Sequence, residues 1–285
     1  MTKRNNLDKI GGEADTSAPV SVSGDQLNFA VPTEFVELPS GGMYYPEGHP
    51  LYKQETIEIK YMTAKEEDIL NSPALLKNGT AVDRMLQNII LDKSIKVPDL
   101  LIGDKNALIV SSRISGYGPE YPIKINCPSC NKPNEVEVDL EEASKFSGAT
   151  KGGVDKLDDI EVSSEGYPLL TMPRSGYKVE LRFLSSKDEV EMTKTEEKLK
   201  KHNMPSSVLT NILKLMVLSV AGNRDREVIS QFVDTMSAMD SRYIRGVYKI
   251  INPTMKLEQE FTCISCDHSG PVEVPITPRF FWPDQ

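Results

Sequence analysis

The residues best equipped for chemistry are four cysteines in two equal spacings, Cys127-Pro-Ser-Cys130 and Cys263-Ile-Ser-Cys266. They are the only cysteines in the chain. A Cys-x-x-Cys turn directs two thiolates to the same side, and Zn²⁺ favours four such soft ligands in a tetrahedron. Alternating segments flank each pair. Tyr121-Pro-Ile-Lys-Ile-Asn126 and Glu135-Val-Glu-Val-Asp139 bracket the first, and Leu257-Glu-Gln-Glu-Phe-Thr262 and Val272-Glu-Val-Pro-Ile276 bracket the second. Each pair is therefore expected at the tip of a β-hairpin, as in a zinc knuckle. The residue after the second cysteine needs a left-handed backbone, which Asn131 and Asp267 tolerate best among non-glycine types. One knuckle offers two ligands, so the economical solution joins both hairpins around a single Cys₄ site. With four protein ligands no position remains for water or substrate, and such a zinc is structural. A thioredoxin-like redox pair would open a helix after a strand; strand-like segments follow both pairs here. His268, in the second turn, is read as a solvated residue and not as a substitute ligand.

No catalytic constellation accompanies the cysteines. There are three histidines, His49, His202 and His268, in unrelated contexts. No nucleophile elbow, phosphate loop, H-E-x-x-H or dinucleotide fingerprint is present. Glu66, Glu67 and Asp68 form a carboxylate cluster, read as a solvated first helical turn where negative charge is favourable. Lys194 to Lys201 (KTEEKLKK) reads as an exposed helix end without the interleaved aromatics of a nucleic-acid patch. The reading is of a non-enzyme.

The elements that must carry the cysteines show an internal repeat. TIEIKYM (residues 56–62) alternates as a strand and precedes the helical TAKEEDIL; KVELRFL (residues 178–184) alternates likewise and precedes SSKDEVEM. Ile57 falls on Val179 at an offset of 122. Val82, Met85, Leu86, Ile89 and Ile90 have the spacing of an amphipathic helix, as do Val208, Ile212, Leu215 and Met216. Matching Ile89 to Met216 gives an offset of 127. Asp104 falls on Asp240 at an offset of 136, each read as the N-cap of a helix ending near Ile114 or Ile250. The same offset lays CPSC on CISC and Val136-Glu137-Val138 on Val272-Glu273-Val274. Offsets that only grow are those of a duplication with insertions in the second copy.

The expected fold is α+β, with duplicated strand–helices–hairpin units whose two knuckles share one Cys₄ site. Residues 1–30 are polar and read as a flexible arm, and residues 31–56 as an ordered Pro/Gly-rich loop wrapped on the core. Residues 57–140 form the first unit, 141–176 an acidic linker, 177–276 the second unit, and 277–285 an aromatic tail. In that tail Phe280, Phe281 and Trp282 stand between prolines. They either fold back onto their own core or dock a partner as aromatic anchors.

At 285 residues with a net charge of −9, the chain lacks the concentrated basic surface of a phosphate-backbone binder. Its best spanning candidate, residues 212–220, is interrupted by Lys214 and is far short of the ~20 residues of a spanning helix. The first residues lack a signal peptide's apolar middle. A cytoplasmic protein is expected, where paired cysteines more often mean metal or redox chemistry than disulfides.

The run VELPSGGMYYPEGHPLYKQETIEIKYMTAKEEDIL (residues 36–70), DKNALIVSSRISGYG (residues 104–118), CPSC and the terminal FFWPDQ resemble the baseplate hub proteins of T-even-like contractile-tailed bacteriophages. Within these the likeness is to the small hub-assembly subunit family. LPSGGMYYP with the following MTAKEEDIL is its most specific part, and no catalytic residues come with it. The resemblance implies a hub subunit or hub-assembly chaperone that binds other tail and baseplate hub proteins, in the host cytoplasm during assembly and in the virion baseplate. A zinc-ribbon regulator of nucleic acid is the alternative from another class.

Overall fold

Alternating apolar residues make the first strands pair. In the computed structural model, which describes residues 30–148, 160–202, 207–276 and 278–281, strand β1 (Thr33–Glu37) runs antiparallel to β2 (Thr56–Lys60) with Val36 opposite Ile57. Both of these side chains are buried. Residues 31–56 thus hold a strand as well as the expected loop. The loop is ordered by what it buries: Leu38, Tyr45 and Leu51 are all in the core. Gly42 has φ 72°, and a Cβ there would lie 2.4 Å from the backbone of Gln54, so only glycine fits.

Helices α1 (Ala64–Leu70), α2 (Pro73–Lys77) and α3 (Ala81–Ile89) follow, then a 3₁₀ turn at Val97–Asp99 and the long α4 (Ile102–Tyr117). The first cysteine hairpin is β3 (Glu120–Asn126) and β4 (Pro133–Asp139). Next come α5 (Leu140–Ala143) and β5 (Ser144–Ser147). Strands β6 (Glu161–Val162), β7 (Pro168–Thr171) and β8 (Lys178–Leu181) form an antiparallel sheet that β9 (Val217–Val220) completes. Between β8 and β9 lie α6 (Ser186–Lys201) and α7 (Val208–Met216); after β9 come α8 (Arg226–Thr235) and α9 (Ala238–Ile251). The second cysteine hairpin is β10 (Thr254–Thr262) and β11 (Ser269–Glu273), with β5 pairing the other edge of β10. Helices and antiparallel strands in this order are an α+β fold. Residues 141–176, expected as a linker, contribute α5 and strands of two sheets; the arm at residues 1–29 and the linker's residues 149–159 lie outside the described residues.

From Pro32 onward the chain is one compact unit whose main apolar core takes residues from both halves. Leu101 bridges Ser185, Ile102 N–H donates to Leu184 O (3.1 Å), and Ser186 N–H to Leu100 O (2.8 Å). Local geometry recurs at the offsets seen in the sequence. Thr63 and Glu66 make a reciprocal capping box at α1, as Ser185 and Asp188 do at α6. Each acid also takes a cation from the end of, or just after, the preceding strand: Lys60 Nζ lies 2.8 Å from Glu66, and Arg182 lies 2.8 Å from Asp188. All three pairs of positions are 122 residues apart. Glu66 is therefore buried and satisfied, unlike the solvated carboxylate expected, with Asn88 Nδ2 as a further donor at 2.6 Å.

Asp104 and Asp240 are also not N-caps, as had been expected. Leu101 and Ser237 hold those positions, and each aspartate is the third helical residue and buried. Asp104 accepts from Ser40 N (2.9 Å), Ser40 Oγ (2.6 Å) and Tyr45 Oη (2.8 Å), fastening the long loop to α4. Burial raises its pKa, against those three donors, which lower it. Asp240 accepts from Arg174 N at 2.8 Å.

Candidate metal centre

Each cysteine turn closes its hairpin in the same way. In the first, Asn126 opposite Pro133 is the last strand pair, and Cys127 N–H donates to Lys132 O at 2.9 Å. In the second, Thr262 opposite Ser269 is the last pair, and Cys263 N–H donates to His268 O at 2.9 Å. Asn131 and Asp267 have φ of 56° and 53°, the left-handed backbone expected of them. That twist turns their N–H groups back onto Cys127 O and Cys263 O, at 2.8 and 3.1 Å. Within each turn a backbone donor also faces the leading sulfur: Ser129 N and Ser265 N lie 3.4 Å from Cys127 Sγ and Cys263 Sγ. N–H groups pointing at sulfur favour the thiolate, which is the form a metal takes.

The two hairpins bring all four sulfurs together. Cys127 Sγ is 3.7 Å from Cys266 Sγ, and Cys130 Sγ is 3.7 Å from Cys263 Sγ. Every pair among the four lies within 4.8 Å. These separations exclude disulfides, whose sulfurs are about 2.05 Å apart, and all four cysteines are free. A regular tetrahedron with metal–sulfur bonds of about 2.3 Å has edges of about 3.8 Å. The closest cross-hairpin pairs match that edge, so the donor set fits one tetrahedral ion. At Cys263 burial disfavours the thiolate, yet donors from Ser265 and Cys266 and the adjacent sulfurs outweigh it and lower the pKa to about 6. Cys266 receives a backbone donor at His268, but burial and its sulfur neighbours drive it up to about 12. Four sulfurs this close resist shedding all their protons without a cation to share the charge.

The surroundings hold the cluster in place. Phe261 is buried against Cys127 and Cys263, and Val136 and Val272 pack alongside. Asn134, 4 % exposed, is a brace that sequence reasoning missed. Its Nδ2 donates to Lys132 O (2.9 Å) and faces Cys263 Sγ (3.6 Å), while its Oδ1 accepts from Ile264 N (3.0 Å). One side chain of the first hairpin thus fixes the turn of the second. The only sequence signal was an asparagine just after a cysteine turn, which does not reveal a partner 130 residues away. His268 stands outside the four-sulfur group, which is the one such ligand cluster among the described residues.

The description "T4 bacteriophage base plate protein" belongs to the family whose sequence model matches residues 31–282, most of the chain and all four cysteines. The chain belongs to that family. No curated protein and no solved structure matches it significantly. In this base plate protein no described helix is long and apolar enough to cross a membrane.

The two described aromatics in the tail of the base plate protein are spent on its own core. Phe280 and Phe281 are buried, and the Phe280 ring meets Tyr121 edge-on at 5.0 Å. Arg113, buried within α4, donates to Phe280 O (3.0 Å), Gly118 O (2.7 Å) and Glu120 O (3.1 Å). Of the two readings of this tail, the structure takes the fold-back for Phe280 and Phe281, because an apolar groove beside Tyr121 receives them. The two phenylalanines expected as docking anchors are therefore not presented to a partner. Trp282 lies outside the described residues.

Proposed function

We propose that this base plate protein works by binding other tail proteins at the central hub, as a hub subunit or hub-assembly chaperone, with one structural Zn²⁺ held by Cys127, Cys130, Cys263 and Cys266. The observation that carries the reading is the cluster of four sulfurs, all within 4.8 Å of one another, at the meeting of two hairpins. All four ligand positions come from the chain, so such an ion would pin one half to the other and offer nothing to a substrate. A non-catalytic role is consistent with the family and with how the histidines are placed. His49 stacks on Tyr45 at 4.5 Å and accepts from Leu51 N, and burial lowers its pKa. We also read the two halves as copies of one unit, supported by capping boxes, buried aspartates and cysteine turns recurring at offsets of 122 and 136 residues.

The test is co-expression with the other baseplate proteins of its phage, followed by native mass measurement of the complexes. A stable complex with a hub protein, lost in Cys263→Ser, supports the reading; failure to join any tail protein, or salt-dependent binding to nucleic acid instead, overturns it. Mass spectrometry of purified virions separates the two roles, since a subunit remains and a chaperone leaves.

A further inference from the structure

Helix α9 turns one apolar stripe inward and a second one outward. Ile244, Tyr248 and Ile251 are buried. Met239, Tyr243 and Ile250, spaced four and seven residues apart and hence on one face, are 59 %, 37 % and 61 % exposed. Gly246 lies in the middle of that face with open space where a Cβ would stand, leaving a notch between Tyr243 and Ile250. Arg242, Arg245 and Lys249 run along one edge of the stripe and are exposed. The only acid on the helix, Asp240, is buried on the opposite side. An apolar and cationic strip on a chain of net charge −9 is not the surface that solubility alone selects.

The matching face of α4 shows what such a surface is for. At 136 residues earlier stand Gly103, Ala107, Val110 and Ile114; the first three are buried and Ile114 packs on the core. Gly103 is so tightly covered that a Cβ there would come within 2.1 Å of Pro253 O. Position 113, which corresponds to Lys249, is the buried Arg113 that grips the tail. Among the described residues this face of α4 is covered and that of α9 is bare.

We propose that the Met239–Tyr243–Ile250 face of α9 docks an acidic amphipathic helix of another base plate protein. Its apolar side would seat on the stripe around Gly246, and its carboxylates would lie along Arg242, Arg245 and Lys249. Charge decides between occupants. An antiparallel two-fold pairing of α9 with a second copy would set the two cationic edges against each other, whereas an acidic helix complements them. This proposal rests on the reading that the chain binds other tail proteins, and names the surface and the partner's chemistry.

The test places a benzophenone amino acid at position 250 of the full-length chain, in cells making the phage's other tail proteins, and maps the cross-linked peptide by mass spectrometry. The expected product joins α9 to a helical segment of another tail protein with net negative charge. Arg242→Glu/Arg245→Glu/Lys249→Glu should cut the yield at least tenfold with an unchanged melting temperature. Should that triple variant fold poorly, Arg245→Ala/Lys249→Ala should still cut it about threefold. No cross-link, a link to a second copy, a link to a basic or neutral segment, or a yield indifferent to both charge variants overturns the proposal. If the protein still enters a native-mass complex with a tail protein while position 250 gives no link, the surface is wrong and the binding role stands; if no complex forms at all, both fall.

Discussion

Helices α4 and α9 stand in the same relation to their cysteine hairpins, yet one is enclosed and the other half bare. Helix α4 is covered on nearly every side. Its Gly103 touches the chain entering β10, its Asp104 holds the long loop, and its Arg113 holds the tail. Helix α9 buries a single face, and its lone buried acid has one oxygen, Oδ2, without a hydrogen-bond partner among the described residues. The cysteine turns by contrast match closely, down to the backbone donor on each leading sulfur and the left-handed residue after the second. A ligand geometry set by bond lengths tolerates little drift. A helix face needs only to be covered, and what covers it can differ.

The largest effect should come from breaking the cysteine cluster where the two hairpins meet. Chelation, or Cys127→Ser, should detach the two hairpins and turn one cooperative melting transition into a broad or stepwise one by calorimetry. Structural zinc is worth roughly 10–16 kcal/mol in small finger peptides, and the extensive apolar core here should keep the remainder folded. A sharp, unshifted transition after metal removal would mean that the hairpins are joined by packing alone.

Next come the paired positions on the two helices. Arg113→Ala strips three carbonyls of their buried donor and should cost about 4 kcal/mol in denaturant melts, whereas Lys249→Ala, exposed at the matching position, should change stability by less than about 0.5 kcal/mol. Equal costs would erase the distinction between the helices. Gly103→Met copies into α4 the residue found 136 positions later and drives a side chain into the Pro253 carbonyl. It should cost about 3 kcal/mol, against about 0.5 kcal/mol or less for Met239→Ala at an exposed site.

The smallest effect compares the two capping boxes. Burial works against ionised Glu66, but hydrogen bonds from Lys60 and Thr63 overcome it and lower its pKa from 4.5 to about 2. A carboxylate depressed on folding contributes stability above its unfolded pKa and loses it as pH falls toward the folded value. The advantage of wild type over Glu66→Gln, about 1 kcal/mol at neutral pH, should therefore shrink between pH 4.5 and about pH 2. Asp188, opposed by burial but lowered by Arg182 and Ser185, should lose its contribution in the same direction below its ordinary 3.8. An advantage that grows on acidification would show that the acids bind as neutral groups.

Much of the site was legible because it is local. Cysteine spacing, period-two flanks and an Asn or Asp in a left-handed slot are all written within about twenty residues. The amphipathic spacing of α3 was equally plain, since Met85, Leu86, Ile89 and Ile90 fill the core. In α7 the expected Met216 is buried and Ile212 and Leu215 pack against the core, but Val208 is exposed and Leu213, outside the expected stripe, is buried instead. What escaped depends on partners far away in the chain. Asn134 looks like any turn asparagine until the second hairpin arrives, and Asp104 reads as a cap until Ser40 and Tyr45 close on it. Strands β5, β6 and β7 have four residues or fewer, too short for a period, and exist because a neighbouring strand pairs with them. The tail's aromatics announced burial without saying against whom.

The central claim, that two hairpins from opposite halves share one tetrahedral ion, is tested most directly by X-ray absorption at the zinc edge. The protein should be purified anaerobically without chelators and its metal content weighed alongside. The account predicts one zinc per chain with four sulfurs at about 2.3 Å and no lighter ligand. Protein without stoichiometric metal, or zinc bound by a mixture of sulfur with nitrogen or oxygen, would contradict it.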